Sequence, residues 1–203
     1  METKTKITSI ILVGGKNLRL GRNKALEIIG GKSLVERIME RLDPLTGQFI
    51  IVTSQEHTDF PLAVKAKVVS DLYPDKGPLA GIYTGLLASQ SPQNIVVACD
   101  MPFLNTGLLR YMVGLSHDCD AVVPRLGEKM AEPLHAIYAK SCLDTIKTRL
   151  EQNQLGVNSF LNAVRTRYVE RAECERLDPE LLSFFNINYP SDLERAIKLA
   201  EGH

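Results

Sequence analysis

The stretch from Ile10 to Lys24, Ile-Ile-Leu-Val-Gly-Gly-Lys-Asn-Leu-Arg-Leu-Gly-Arg-Asn-Lys, constrains the fold more than any other part of this chain. Ile7 and Ile10 to Val13 make a short apolar, β-branched run, the pattern of a buried parallel strand. The run passes directly into Gly14 and Gly15, then into a loop carrying Lys16, Arg19, Arg22 and Lys24. Glycine has no Cβ, so main-chain N–H groups there can approach a ligand closely. Arg and Lys beside them would neutralise phosphate oxygens, Arg as a bidentate fork and Lys as a point charge. These features predict a polyphosphate site at the carboxyl end of a strand in an α/β sheet. The competing reading is an ordinary βα turn with exposed charges. Four cations within nine residues weigh against it.

Two familiar phosphate loops do not fit. The Walker pattern needs Gly, four residues, then Gly-Lys-Ser/Thr. Here five residues separate Gly15 from Gly21, and Arg22-Asn23 separate that glycine from Lys24. The dinucleotide pattern Gly-x-Gly-x-x-Gly is missing too, because Gly14 and Gly15 are adjacent.

Downstream, strand and helix signals alternate. Ser33-Leu-Val-Glu36 reads as a capping box, and Leu34, Val35, Ile38, Met39 and Leu42 follow at helical spacing. Phe49 to Val52 reads as a strand ending at Thr53-Ser54, and Val68-Val69 as a strand ending at Ser70-Asp71. Gly77-Pro78 opens a helix whose core face is Leu79, Ile82, Leu86 and Leu87. Ile95 to Cys99 reads as a strand ending at Asp100-Met-Pro102, followed by a helix over 106–116. Strands are expected at 121–124, 134–139, 167–170 and 185–188. Helical segments are expected at 141–152 and 160–164, with a last helix capped by Ser191 and Glu194 that turns Leu193, Ala196, Ile197 and Ala200 inward. This order predicts a three-layer, Rossmann-like, mostly parallel sheet with helices on both faces. Ligands of such sheets bind outside the carboxyl ends of the strands. Gly14, Thr53, Asp71 and Asp100 all lie just past predicted strands, so the topology should bring them to one crevice.

Composition narrows the ligand class. Lys+Arg and Asp+Glu both number 24, so the net charge is zero, which argues against a non-specific nucleic-acid binder. Cations gathered in one loop of a neutral chain point to a small anionic ligand. At 203 residues the simplest expectation is a single domain over 1–203, with no membrane span, no signal-peptide pattern and a cytoplasmic location. Cys99, Cys119, Cys142 and Cys174 are widely spaced and the four histidines scattered, so no zinc spacing appears and buried free thiols are expected. Asp100, at the end of an apolar run and held by Pro102, is placed to bind Mg²⁺, which takes one or two carboxylates together with phosphates and waters. A turn-forming aspartate is the alternative there, and Asp71 carries the same ambiguity.

Five segments in order resemble a known family. Leu-Val-Gly-Gly-x-Asn-x-Arg-Leu-Gly-x-Asn-Lys is similar to the signature loop of nucleotidyltransferases, with Val13, Asn17, Leu20 and Asn23 departing from its commonest residues. Asp71 followed by Gly77-Pro-Leu-Ala-Gly-Ile82, Cys99-Asp-Met-Pro-Phe-Leu104, Glu132-Pro-Leu-His-Ala-Ile-Tyr138 and Asn186-Ile-Asn188-x-Pro resemble the remaining motifs. Together they resemble the molybdenum cofactor guanylyltransferases, which have the nucleotide-diphospho-sugar transferase type of fold. The resemblance implies transfer of GMP from GTP to the phosphate of (Mo-)molybdopterin, giving the guanine dinucleotide and pyrophosphate. It implies a nucleotide-binding half over about 1–115 and an acceptor-binding half over about 116–203. Leu12, Val13 and Gly14 would meet the guanine side through backbone groups, with Gly15 also among the binding residues, Thr53 and Asp71 would hold the nucleoside, and Asp100 would hold Mg²⁺. Arg19 and Lys24 would stabilise phosphate charge, with Asn186, Asn188 and Glu132 nearer the pterin. Other molybdenum-cofactor assembly proteins and chaperones of apo-molybdoenzymes are the implied protein partners. A cytidylyltransferase for the same cofactor, a sugar-1-phosphate nucleotidyltransferase and a catalytically silent nucleotide-binding partner remain as alternatives.

Overall fold

The computed structural model describes residues 7–14, 24–53, 65–128 and 130–201. Its frame is a seven-stranded sheet built from β1 (Ile7–Val13), β4 (Thr46–Thr53), β5 (Lys67–Ser70), β6 (Gln93–Ala98), β7 (Ala121–Arg125), β8 (His135–Ala139) and β9 (Thr166–Glu170), in the order β5-β4-β1-β6-β8-β7-β9. A separate antiparallel hairpin joins β2 (Ile28–Ile29) to β3 (Lys32–Ser33).

β1 is buried along its whole length because both faces of the sheet are covered. Its side chains alternate between two cores: Ile7, Ile11 and Val13 enter one, Ile10 and Leu12 the other. The first core lies under α1 (Leu34–Leu42), α3 (Thr106–Gly114) and α6 (Arg171–Glu175). The second lies under α2 (Pro78–Ala88), α4 (Cys142–Glu151) and α5 (Val157–Leu161). The expected three-layer arrangement is therefore present.

The expected capping box opens α1. Ser33 Oγ accepts the Glu36 N–H, and Glu36 Oε2 accepts the Ser33 N–H. All five residues of the predicted stripe, Leu34, Val35, Ile38, Met39 and Leu42, are buried, each contributing roughly 1.5–3 kcal/mol of transfer free energy. α2 departs from the prediction: its first two turns are buried all round, while Leu87 is 48% exposed. The helix sits so close to β1 that a Cβ on Gly85 would overlap Ile10 Cγ2, and one on Gly81 would lie 3.3 Å from Leu12 Cδ2. Small residues are required on that face.

Two further expectations need correction. Residues 185–188 join no ladder; they cross the carboxyl end of β6, where the Ile187 N–H donates to the Asp100 carbonyl. The Asn-x-Asn spacing mimics a strand because alternate residues point the same way. α7 (Pro190–Glu201) begins one residue before Ser191, and Asp192 Oδ2 accepts the Asn188 and Tyr189 N–H groups, so the cap is Asp192. Within α7, Ala196 is buried but Ile197 is 37% exposed.

α7 and residues 185–188 pack on a small third core of Ile29, Leu34, Phe103, Ile187 and Ala196. The Arg37 guanidinium lies 5.8 Å from the Phe103 ring centre, Phe103 lies 5.8 Å from Phe185, and Arg195 covers Phe185 at 5.3 Å. Such cation–π and aromatic pairs fasten the end of the chain to the β2–β3 side of the molecule.

Candidate active site

The register of the parallel strands brings their carboxyl ends level. Val13 stands beside Thr53, Thr53 beside Ser70, and Leu12 beside Ala98. The next residues continue the pairing: the Asp71 N–H donates to the Thr53 carbonyl at 2.8 Å, and the Cys99 N–H to the Leu12 carbonyl at 3.1 Å. Gly14, Thr53, Asp71 and Asp100 thus share one rim, as their positions after strands predict. The side chains of Leu12, Val13 and Thr53 are nearly covered, whereas Gly14 is exposed at the lip. Gly15 and Arg19, with the rest of the basic loop before Lys24, lie outside the described residues.

Lys24 enters from a short 3₁₀ turn, Lys24–Leu26, anchored by the fully buried Ala25. Its Nζ donates to Asp100 Oδ2 at 3.0 Å and to Asn188 Oδ1 at 3.5 Å. The two charged side chains are mostly shielded, at 13% and 22% exposure. One cation, one carboxylate and one amide from three distant parts of the chain therefore meet at the end of β6.

Asn188 is delivered by the segment that crosses β6. Its anchors are the Ile187 hydrogen bond to Asp100, the Asn186 Nδ2 donation to the Phe184 carbonyl at 3.2 Å, and the Asp192 cap. Beneath it lies a residue not singled out from the sequence. His135 is fully buried, its ring 5.0 Å from that of Phe184, and neither ring nitrogen has a partner among the described residues. Burial holds its pKa down at about 3, so the imidazole is neutral. The detectable signal is alternation: His135 shares the core face of β8 with Ile137.

β8 runs antiparallel to β6, so its entry opens on the same rim as the exits of the parallel strands. The Ala98 N–H donates to the Leu134 carbonyl at 3.0 Å, which brings Glu132 to the Asp100 side of the crevice. Glu132 is half-buried, and desolvation raises its carboxyl pKa. Its carboxylate has no hydrogen-bond partner among the described residues.

On the opposite flank the Asp71 carboxylate is fixed by two hydrogen bonds. Its Oδ1 accepts the Tyr73 N–H and the Thr84 hydroxyl of α2, while Thr84 Oγ1 accepts the Leu72 N–H. Desolvation raises its pKa, and the hydrogen bonds from Tyr73 and Thr84 counter that rise only in part. Leu72 beside it is 55% exposed.

The structure thus brings together Lys24, Asp100 and Asn188, sets Gly14, Thr53 and Asp71 along one flank, and puts Glu132 and Asn186 on the other. Among the described residues no cluster of three or more His, Cys, Asp or Glu is placed to hold a metal. The Asp100 carboxylate and the Asn188 amide are hard oxygens of the kind Mg²⁺ takes together with phosphate and water, and here both accept from the Lys24 ammonium. Of the four cysteines, Cys99, Cys142 and Cys174 are buried free thiols and Cys119 is half-buried. No helix among the described residues is long and apolar enough to cross a membrane.

Comparison with known proteins identifies the family and the fold. Residues 9–170 match the family model described as the MobA-like NTP transferase domain. A protein of Pelotomaculum thermopropionicum named probable molybdenum cofactor guanylyltransferase is 37% identical over 96% of this chain and 93% of its own. The molybdenum cofactor guanylyltransferase of Desulfosudis oleivorans is 33% identical over 94% of each. The crystal structure of molybdopterin-guanine dinucleotide biosynthesis protein A from Archaeoglobus fulgidus superposes with a TM-score of 0.83 at 30% identity, covering 97% of this chain and all of that one. A Thermus thermophilus 2-C-methyl-D-erythritol 4-phosphate cytidylyltransferase shares the fold at a TM-score of 0.71 and 17% identity.

Proposed function

We infer that this chain, which belongs to the MobA-like NTP transferase family, transfers GMP from GTP to the phosphate of molybdopterin and releases pyrophosphate. The observation that carries this reading is similarity from end to end with proteins named molybdenum cofactor guanylyltransferase. The geometry supplies the chemistry. A terminal phosphate is already an anionic nucleophile near neutral pH, so the reaction needs no dedicated base. What it needs is alignment of that phosphate with the α-phosphorus of GTP and relief of crowded negative charge.

In this reading the rim from Gly14 through Thr53 to Asp71 receives the nucleoside, with the backbone of Leu12 to Gly14 on the guanine side. The residues to about 115 form the nucleotide half, and 116–203 the acceptor half. Lys24, carried from the basic loop that also contains Arg19, faces the phosphates and offsets charge on the α-phosphate and the leaving pyrophosphate. Asp100 would hold Mg²⁺, with the Asn188 amide oxygen beside it. When bound, that ion supplies Lewis-acid charge on the phosphate oxygens. Asn186, Asn188 and Glu132 lie on the acceptor side. Asn188 bridges the two halves through Lys24. The chain would act in the cytoplasm and pass its product to the proteins that load molybdoenzymes.

Calorimetric titration of GTP, CTP and ATP, with and without Mg²⁺, tests the reading. Selective GTP binding, strengthened by Mg²⁺ and followed by pyrophosphate release when molybdopterin is added, is the expected result. A preference for CTP would move the product to the cytosine dinucleotide. A folded sample that binds no nucleotide would overturn the enzyme reading.

A further inference from the structure

We propose that Lys76 is a nucleotide-positioning residue, acting as a clamp that holds the Asp71-Leu72 corner against the crevice without itself touching the substrate. The proposal rests on the guanylyltransferase reading, which names GTP as the ligand and puts the nucleoside on the Asp71 rim.

The segment from Asp71 to Gly77 links β5 to α2 and carries Asp71 on the rim. A loop in this place with four exposed residues, Leu72, Pro74, Asp75 and Gly77, would ordinarily be among the least stable parts of the molecule. Here it is tied at both ends. Near its start, Asp71 and Leu72 are held by Thr84, and the Tyr73 ring meets the edge of Tyr83 at 5.6 Å. Near its finish, Lys76 reaches across to another element: Nζ donates to the Leu150 carbonyl at 2.8 Å.

That carbonyl belongs to the last turn of α4, where the helix dipole is negative; it also accepts the Asn153 N–H at 3.2 Å, so the lysine takes its second lone pair. A cation is the favoured partner there. The Lys76 ammonium also stands 5.9 Å from the Tyr73 ring centre, so one side chain joins the loop's aromatic anchor to α4. Its direction is set by the backbone on either side. Asp75 has φ +66° and Gly77 φ +72°, two left-handed residues flanking one lysine. For Asp75 this conformation is unfavourable, and the contacts Lys76 makes offset it. The clamp fixes the nucleotide rim to a helix that belongs to the acceptor half of the chain.

The test compares wild type with Lys76→Met, which keeps the stem and removes the charge, and with Lys76→Arg. In the ligand-free proteins, amide hydrogen exchange should quicken over residues 71–77 in Lys76→Met and stay unchanged in β1 and β6. Calorimetric GTP affinity should fall about tenfold, the worth of one charge-assisted hydrogen bond. The maximal rate at saturating GTP should stay within about twofold, and Lys76→Arg should recover most of the affinity. Unchanged exchange over 71–77, unchanged GTP affinity, or equal loss of affinity and maximal rate would overturn the clamp. If wild type fails to bind GTP while exchange responds as expected, the guanylyltransferase reading fails and takes the nucleotide role of Lys76 with it, leaving a purely structural tie.

Discussion

Lys24 Nζ lies 3.0 Å from Asp100 Oδ2 across 76 residues of sequence, and Asn188 Oδ1 completes the contact at 3.5 Å. The pair stands at the end of the strand that lines the centre of the crevice, mostly shielded from water, so its electrostatic influence on a bound polyphosphate is little screened.

Replacing Lys24 or Asp100 by Ala is expected to lower the maximal rate by about 10²–10³ while leaving the fold intact, since neither contributes to the apolar cores. Steady-state pyrophosphate release and far-ultraviolet circular dichroism check this together. Wild-type turnover from either folded variant would remove that residue from the catalytic machinery.

Asn188→Ala should separate the two substrates. If Asn188 serves the acceptor, as proposed, apparent affinity for molybdopterin should weaken about tenfold while GTP affinity changes little. Equal effects on both substrates would place Asn188 with the nucleotide instead.

Stability should depend on acid through His135. An unfolded histidine takes up a proton near its ordinary value of 6.5, whereas the folded protein holds this one neutral until about pH 3. Between those values the unfolded chain binds the extra proton, so stability falls as pH drops from 6.5 toward 3. The loss between pH 7 and 4.5 is on the order of 3 kcal/mol. Urea denaturation at both pH values should show this slope in wild type and a markedly smaller one in His135→Leu. Identical slopes would mean that the imidazole is not held neutral.

Gly85→Ala should cost about 1–3 kcal/mol, because the new methyl overlaps Ile10 Cγ2 and meets Val52 Cγ2 at 3.3 Å. In an Ile10→Ala background the same change should cost clearly less. A double-mutant cycle with no coupling would show that α2 shifts away from β1 freely.

Much of this architecture is legible in the sequence because local rules and tertiary packing agree. The Ser33–Glu36 cap, the α1 stripe and the apolar run of β1 each satisfy a periodicity that the cores then use. Gly14, Thr53, Asp71 and Asp100 could be placed on one rim because a parallel sheet turns sequence position after a strand into spatial position. Other features escape such reading for physical reasons. Strand direction leaves no mark on hydrophobic alternation, so the reversal of β8 is visible only in the sheet. Residues 185–188 alternate like a strand but spend their hydrogen bonds on Asp100 and the α7 cap. Leu87 and Ile197 fall at helical spacing yet sit past the edge of what α2 and α7 cover. The Lys76 clamp depends on the end of a helix 74 residues away, which no local pattern encodes.

The meeting of Lys24 with Asn188 across 164 residues has a consequence for how the protein is made. The ribosome releases the chain from its amino end, at roughly 5–20 residues per second. β1, β4 and β6, with the rim they carry, are synthesised long before Asn188, so a nascent chain can shape that rim before the contact between Lys24 and Asn188 exists. Competence to join the two substrates arrives in one late step, when the segment that crosses β6 emerges and docks.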